Sequence, residues 1–454
     1  MSAIAPTAPP PRGPLDRFLR LFAEVHEGEG GQVLLLAFNV FLILTAYYVM
    51  KPVREAFILA QPGGAEIKSY SMAAQALLLV VVVPLYGAIA TRLPRRRLIN
   101  IVTAFFIACL PLFYLAAEAK LPVGVPFFLW IGVFSLMLVA QFWAYANDLY
   151  TPEAGKRLFA LVAFGASSGA VFGAFISGHL IGVLGVDAML LVAAVILAAS
   201  LMVFNVIDLR VSARAAAGRH GKARTAAEAP IGDGNAFALV LRNRYLLLIA
   251  ALIFLLNWVN ATGEYILSSI VSRAAEADVA AGRLAQEDEG AFIGAFYADY
   301  FQVVNIAGML LQLFVVSRVV KYLGVRVAVC ILPVVAFGSY AVAALIPSLA
   351  IVRWVKTAEN SVDYSLQNTV AQMLYLPTTR EEKYKAKQVT DTFVVRAGDV
   401  MSSATVLVGT SLLTLSVSQF ALINVALVTF WFAVAFLLGR EFHRRTTAKP
   451  GGAA

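Results

Sequence analysis

Charged side chains that interrupt long apolar runs are the residues of this sequence best suited to chemistry. Tyr47, Lys51, Arg54 and Glu55 recur at helical spacing and share one helix face. A second set, between residues 353 and 367, forms a stripe of basic, acidic and amide side chains about 100° wide. A charge at the centre of a bilayer costs at least about 2.5 to 3.5 kcal/mol. Such side chains are therefore expected to bind a ligand, to pair with one another, or to carry protons.

The composition places these charges in a membrane protein. Of the 454 residues, 60% are hydrophobic and only 14% are charged, and the mean hydropathy is +0.79. Soluble domains contain about 25% charged residues, so an ordinary soluble protein is excluded. The two cysteines and four histidines are scattered, so we predict no disulfide framework, metal site or cofactor. The sequence contains no phosphate-binding loop, so ATP hydrolysis is not predicted as an energy source. We do not predict an enzyme.

Twelve segments remain apolar for about the 20 residues that a helix needs to cross a bilayer. The predicted fold class is therefore an all-α membrane protein with twelve transmembrane helices. The lipid bilayer is the first partner that we expect for this protein. The predicted helices begin near Gln32, Tyr70, Leu98, Phe127, Arg157, Asp187, Arg244, Ala291, Val325, Ser348, Lys387 and Ser418.

The distribution of Lys and Arg orients these helices. With the N-terminus in the cytoplasm, 27 of the 36 basic residues fall on the cytoplasmic side, four on the opposite side and five inside spans. This asymmetry predicts a multi-pass protein of a bacterial inner membrane with both termini cytoplasmic. Topology thus explains most of the net charge of +9, so no nucleic-acid partner is expected. We expect a monomer.

A polar, basic stretch at residues 210–243 separates six spans from six. The sequence Leu-Tyr-Thr-Pro at 149–152 ends the fourth span much as Leu-Tyr-Leu-Pro at 374–377 ends the tenth. Two six-helix repeats joined by a cytoplasmic linker resemble the plan of the major facilitator superfamily, in which substrate binds between two rocking halves. The predicted organisation is a tail with an amphipathic helix (1–30), an N-terminal bundle (31–209), a linker (210–243), a C-terminal bundle (244–440) and a tail (441–454).

The superfamily plan implies that spans 1, 4, 7 and 10 line a central cavity. Cations from both halves suit an anion with phosphate or carboxylate groups, because arginine offers a bidentate fork and lysine a point charge. The candidate substrate-binding residues are Lys51, Arg54, Arg353, Lys356, Tyr47, Tyr145, Asn257, Asn260, Asn360 and Tyr364. The candidate gating or proton-coupling residues are Glu55, Glu264, Glu359, Asp363, Asp391, Arg396 and Asp399. The carboxylates could equally neutralise the cations as internal pairs, so both interpretations stay open.

Several stretches resemble the nucleotide transporters, the bacterial and plastid ATP/ADP translocases. Residues 50–67 are similar to the end of that family's first core span, and residues 142–178 to its fourth and fifth spans. By this resemblance Arg54 takes the place of a functionally important lysine of that family. The resemblance as a whole implies antiport of nucleotides. The tenth span departs from the family, because residues 368–373 lack its typical charged run, and Asp399 stands where it has a lysine.

The sequence therefore predicts an alternating-access transporter of a small organic anion, such as a nucleotide or a phosphorylated metabolite. The second hypothesis is a proton-coupled carrier of a neutral or cationic solute, in which the carboxylates act and the cations are structural partners. A third is a membrane scaffold that transports nothing. The polar stripes argue against a scaffold, because it would not need them at such a cost of insertion.

Small residues recur every four positions along the fifth span, at Gly165, Gly169, Gly173 and Ser177. Such a seam lets two helices approach closely. We predict that it serves helix packing.

Overall fold

The structure is a computed structural model that describes residues 24–26, 29–90, 92–216 and 235–447. Within these ranges the regular secondary structure is entirely helical. The first six long helices are α1 (Gly30–Leu59), α2 (Gly64–Ala90), α3 (Arg95–Glu118), α4 (Gly124–Leu149), α5 (Pro152–Leu184) and α6 (Met189–Ala216).

The second half begins with a short helix, Ala236–Arg242, which we call the linker helix. Three of the long helices that follow contain a π-helical turn. The helix Ser317–Leu345 is divided at Gly324, whose φ of 71° is not helical, so its first part continues α8 and its second part is α9. The six are α7 (Arg244–Ala280), α8 (Glu289–Leu311, then Gln312–Val316), α9, α10 (Leu349–Val362, Asp363–Gln367 and Asn368–Met373), α11 (Arg380–Val389, Thr390–Val394 and Val395–Ser411) and α12 (Val417–Thr447).

The helices of the described residues confirm the twelve predicted spans. Nine helical segments are long and apolar enough to cross a membrane, and the 60-residue segment Gln286–Leu345 among them contains both α8 and α9. The remaining two, α10 and α11, carry charged side chains and are interrupted by π turns. Ten of the twelve begin within five residues of the predicted start.

Each half of the chain has its own hydrophobic core. One buried cluster comes mainly from α1 and α3 to α6, and the other mainly from α7 to α12. α1 packs chiefly against α5 and α6, and α9 chiefly against α12. The halves meet where α8 contacts α1 and α5, and where α2 contacts α7 and α11. A site between the halves must therefore be bordered by these helices.

The small-residue seam of α5 serves helix packing, as the sequence predicts, and the structure shows that its partner is α1. A Cβ atom added at Gly165, Gly169 or Gly173 would lie well inside van der Waals distance of a carbonyl oxygen of α1. Ser177 continues the seam and donates a hydrogen bond of 3.1 Å to the carbonyl oxygen of Val49. The small side chains therefore let two backbones touch, which brings the charged end of α1 against α5 and α8.

Some predicted boundaries differ from the structure. Most of the predicted tail with its amphipathic helix (1–30) lies outside the described residues, as do 217–234 of the predicted linker. α6 remains helical through Ala216, and α12 through Thr447. α2 begins at Gly64, six residues before its predicted start, so Lys68 lies within a helix and was wrongly placed in a loop.

Candidate functional site

The bundle has two ends that differ in how the halves meet. We call the end at which α6 finishes and α7 begins the linker side, and the end at which α1 meets α2 the far side. On the far side, Ser272 of α7 donates a hydrogen bond of 3.3 Å to the carbonyl oxygen of Leu59. Ser403 of α11 likewise donates one of 2.6 Å to the carbonyl oxygen of Ser69. These bonds join the two halves and close the far side.

A cavity of about 760 Å³ separates the halves on the linker side. We call it the outer cavity. α1 and α5 border it on one side, and α8, α10 and α11 on the other. Its wall is mostly uncharged, with amides and hydroxyls among apolar side chains. The polar residues of the wall include Ser167, Asn305, Asn368, Thr369 and Gln372.

A second cavity, of about 270 Å³, lies deeper between the halves and carries most of the charge. We call it the inner cavity. Tyr364 lines both cavities, so they share a wall. Four basic residues line the inner cavity, namely Lys51, Arg54, Lys68 and Arg396, against two acidic residues, Glu264 and Asp399. The aromatic and amide candidates Tyr47, Asn257 and Asn260 line it as well.

Glu55 is the buried centre of the N-terminal part of this charge cluster. It is 0% exposed, and the side chains of Arg54 and Lys68 both bind it, with 2.7 Å between Lys68 Nζ and Glu55 Oε2. Lys68 also donates a hydrogen bond of 2.8 Å to Ser268 Oγ and lies 3.9 Å from Glu264 Oε2, both on α7. One carboxylate thus serves two cations, and Lys68 links the two halves.

Lys356 is the corresponding centre in the C-terminal half. Its Nζ lies 3.1 Å from Glu359 Oε2, 3.9 Å from Glu264 Oε1 and 3.1 Å from Asn260 Oδ1. Tyr340 of α9 donates a hydrogen bond of 2.8 Å to Glu359. Lys356 is fully buried and lines neither cavity. It therefore acts on the inner cavity only through Glu264 and Asn260, which do line it.

Lys51 differs from the other buried cations of this cluster. Its side chain forms no ion pair with any described residue, and the residue is only 8% exposed. Its Nζ lies 4.2 Å from the ring centroid of Phe301 and 4.8 Å from that of Tyr48. Cation–π contacts of this kind offset part of the cost of burial. The positive charge of Lys51 nevertheless faces the inner cavity without a carboxylate.

Comparison with known families decides what kind of protein contains this cavity. The family model described as Major Facilitator Superfamily matches residues 34–376. The chain belongs to the major facilitator superfamily. No curated protein sequence matches it. The arrangement of two helical halves around a central cavity is therefore that of a membrane transporter of this superfamily, and not of an enzyme.

Solved structures show the same fold at low sequence identity. The nucleoside transporter NupG is 12% identical, with a TM-score of 0.61, and the match covers 92% of this chain and 100% of that one. A bacterial homologue of the iron transporter ferroportin is 14% identical, with a TM-score of 0.59 and coverage of 90% and 98%. A bacterial homologue of the human lysosomal transporter Spinster is 13% identical, with a TM-score of 0.56 and coverage of 91% and 98%. At these identities the likeness concerns the fold alone.

Four of the ten expected substrate-binding residues of this major facilitator line neither cavity, namely Arg353, Tyr145, Lys356 and Asn360. Arg353 is bound to Asp299 of α8 and lies over the ring of Trp354, 5.3 Å from its centroid. Tyr145 lies within the N-terminal half, where its hydroxyl donates a 3.5 Å hydrogen bond to Asp208 of α6. Arg353 shares a helix face with the cavity residue Tyr364 in the sequence. Neighbouring helices nevertheless bind the side chains of both Arg353 and Tyr145.

Of the remaining candidates on α10 and α11, some line the inner cavity and the others do not. Asn360 is buried and donates hydrogen bonds of 3.1 Å to Glu264 and 2.7 Å to Tyr300. Asp363 begins the π turn of α10 and lines neither cavity. Asp391 is exposed near the linker-side end of α11. Arg396 and Asp399 form a 3.0 Å ion pair in the wall of the inner cavity.

Lys68 is the functional candidate that the sequence prediction missed. Its assignment to a loop hid the fact that Lys68, Met72 and Gln75 recur at i, i+4 and i+7 and line the inner cavity together. Had α2 been extended to Gly64, this stripe would have been visible in the sequence.

Proposed function

We propose that this major facilitator carries a small organic anion, and that Lys51, Arg54 and Lys68 bind its charged group in the inner cavity. Lys51 carries the proposal, because it is a buried cation without a carboxylate partner. Arg54 and Lys68 share Glu55, and Lys68 also lies 3.9 Å from Glu264, so Arg54 retains more capacity for an anion than Lys68 does. A buried charge is normally paired. An anionic substrate would provide the pairing that the described residues do not provide.

The sizes and linings of the two cavities favour a substrate that has an uncharged portion in addition to its anionic group. Ligand pockets commonly measure about 300 to 1,000 Å³, and the inner cavity of 270 Å³ falls just below that range. The outer cavity offers mainly amides and hydroxyls, and its two charged wall residues, Lys383 and Lys387, belong to α11. We therefore place the phosphate or carboxylate in the inner cavity and an uncharged, hydrogen-bonding portion in the outer one. Nucleotides and phosphorylated metabolites have this form, and the resemblance to nucleotide transporters supports the same class.

Alternating access would use the far-side closure described above. The linker side holds the large outer cavity, and by the Lys and Arg distribution we place it in the cytoplasm. Opening the far side requires that the bonds from Ser272 and Ser403 to the other half break. Substrate then has to bind the second conformation as well, because a ligand shifts such an equilibrium only through different affinities for the two states. Exchange of one anion for another is the simplest way to drive this cycle.

A proton-coupled carrier of a neutral or cationic solute is the second candidate. Glu264 and Asp399 favour it, because both carboxylates line the inner cavity beside the cations. In that mechanism the cations would neutralise carboxylates, and the charge of Lys51 would not be needed for solute binding. The two candidates therefore predict different effects of removing Lys51.

Lys51→Gln is expected to weaken binding of the transported anion by about 10- to 100-fold, because a hydrogen bond to a charged group contributes about 1.5 to 3 kcal/mol. The measurement is concentration-dependent uptake and exchange of labelled nucleotides, sugar phosphates and dicarboxylates in proteoliposomes. Stability should not fall, because Lys51 forms no ion pair with any residue that the structure describes.

Arg353→Gln is the matched control for this experiment. It removes one positive charge from a predicted span, but Arg353 lines neither cavity, so anion affinity should change little. The anion proposal would be abandoned if no anion of the panel moves, or if Lys51→Gln transports the best anion with unchanged affinity. Proton-dependent uptake of a neutral solute by Lys51→Gln would favour the second candidate.

A further inference from the structure

A third cavity, of about 580 Å³, lies on the linker side and outside the two transport cavities. We call it the linker pocket. It is formed by the linker helix, the start of α7, the start of α11 and the end of α12. Its charged wall residues are Arg242, Arg244, Glu381, Lys385 and Arg445. Four basic side chains thus face one carboxylate.

Two of these basic side chains are held in place by the protein. Lys385 Nζ lies 2.5 Å from Glu381 Oε1, and the lysine is mostly buried. Arg445 donates a hydrogen bond of 3.1 Å to Asn243 Oδ1 and lies 4.5 Å from the ring centroid of Tyr245. A shaped basic wall therefore exists before any ligand arrives.

Arg242 and Arg244 supply the charge that is not neutralised. Neither forms an ion pair with any described residue, and both are exposed at the pocket. Arg244 begins α7, and Arg242 ends the linker helix. Guanidinium groups match the geometry of phosphate oxygens and bind them in a bidentate way. The pocket thus suits a phosphate group between the two arginines.

The linker helix presents an apolar face beside this basic pocket. Phe237 and Leu241, one turn apart, are 46% and 67% exposed. Val240, which follows Phe237 by three residues, is buried in the core, and Phe237 packs edge-on against Phe393 of α11 at 5.0 Å between ring centroids. An apolar face next to a basic one is the pattern of a helix that lies in the surface of a membrane.

We propose that the linker pocket binds the headgroup of an anionic phospholipid from the leaflet on the linker side. The phosphate would lie between Arg242 and Arg244, and the acyl chains would contact Phe237 and Leu241. A free phosphate would use the same arginines but would gain nothing from the apolar face, which is why we assign a lipid. Such a lipid ties the linker helix to α11 and α12 and so stabilises the C-terminal half. This site is independent of the transported substrate.

The test is thermal unfolding of the full chain in a neutral detergent, with increasing amounts of short-chain phosphatidylglycerol or short-chain phosphatidylcholine. A ligand that binds only the folded state raises the apparent melting temperature. Phosphatidylglycerol should raise it and phosphatidylcholine should not. The double variant Arg242→Gln and Arg244→Gln should weaken the apparent affinity for phosphatidylglycerol by about 30-fold, from its two lost charges.

The matched control is the double variant Arg318→Gln and Lys321→Gln. It removes two exposed charges from the linker-side end of α8, outside the pocket, and should keep the response to phosphatidylglycerol. The proposal is wrong if the pocket variant responds as the native chain does, or if the control loses the response equally. Inorganic phosphate that stabilises the native chain as well as the lipid does would overturn the lipid assignment. Phe237→Ser should weaken the response to phosphatidylglycerol and leave any response to inorganic phosphate unchanged.

Discussion

Glu55→Gln is expected to lower the free energy of unfolding by about 3 to 5 kcal/mol, the typical cost of removing one partner from a buried ion pair. Glu55 is 0% exposed and binds both Arg54 and Lys68. An amide keeps the shape of the side chain but not its charge. Two buried cations would then lose their shared counter-charge, while Glu264, 3.9 Å from Lys68, compensates only in part. Denaturant unfolding in one detergent measures the effect.

Asp278→Asn is the matched control, because it also breaks an ion pair, that of Asp278 with Arg283, but an exposed one. Its cost should lie near 0 to 1 kcal/mol, in the range of surface pairs. Adding Lys68→Met to Glu55→Gln should recover part of the lost stability, because one uncompensated cation is removed. If Glu55→Gln and Asp278→Asn prove equally mild, the buried cluster does not stabilise the fold as we infer.

Gly169→Ala is expected to destabilise the chain by about 1 to 3 kcal/mol, the usual cost of overpacking a core. The added Cβ would collide with the carbonyl oxygen of Phe41. Neither backbone can yield easily, since α1 and α5 touch along the whole seam that includes Gly165 and Gly173. The two helices would have to separate, which would also displace Lys51 and Arg54 at the inner cavity. The melting temperature and the rate of anion uptake should therefore both fall.

Gly182→Ala is the control on the same helix, because a Cβ added there meets nothing within 4 Å. Alanine also favours a helix over glycine by about 1 kcal/mol, so this variant should be neutral or slightly more stable. The two substitutions are chemically identical and should differ in the sign of their effect. A stability of Gly169→Ala at or above the native level would show that α1 and α5 are not in backbone contact.

The fold was largely predictable because its signals are local. Apolar length defines a spanning helix, and a four-residue repeat of small side chains defines a packing seam. Both signals lie within one helix, so the sequence alone reveals them. The starts of α2 and α11 were the least accurate, since polar residues such as Lys68 extend each helix beyond its apolar run.

The candidate site was predictable only in part, because pairing occurs between helices. Lys51 and Arg54 were expected at a central cavity and line it. Arg353 and Lys356 were expected to share that role, but Asp299 of α8 binds the first and Glu359 with Tyr340 surround the second. The π turn at Asp363–Gln367 also ends the regular 100° spacing on which the single stripe of α10 depended.

The sequence by itself determined that this chain is a twelve-helix membrane protein, that its fifth helix carries a seam for close packing, and which side chains carry charge within the predicted spans. Only the tertiary structure decided which of those charges are neutralised and which face a cavity. The reason is physical: an ion pair depends on distances of a few ångströms between side chains of different helices. Lys51, without a carboxylate among the described residues, and Lys68, with two, could not be distinguished until α1, α2 and α7 were packed together.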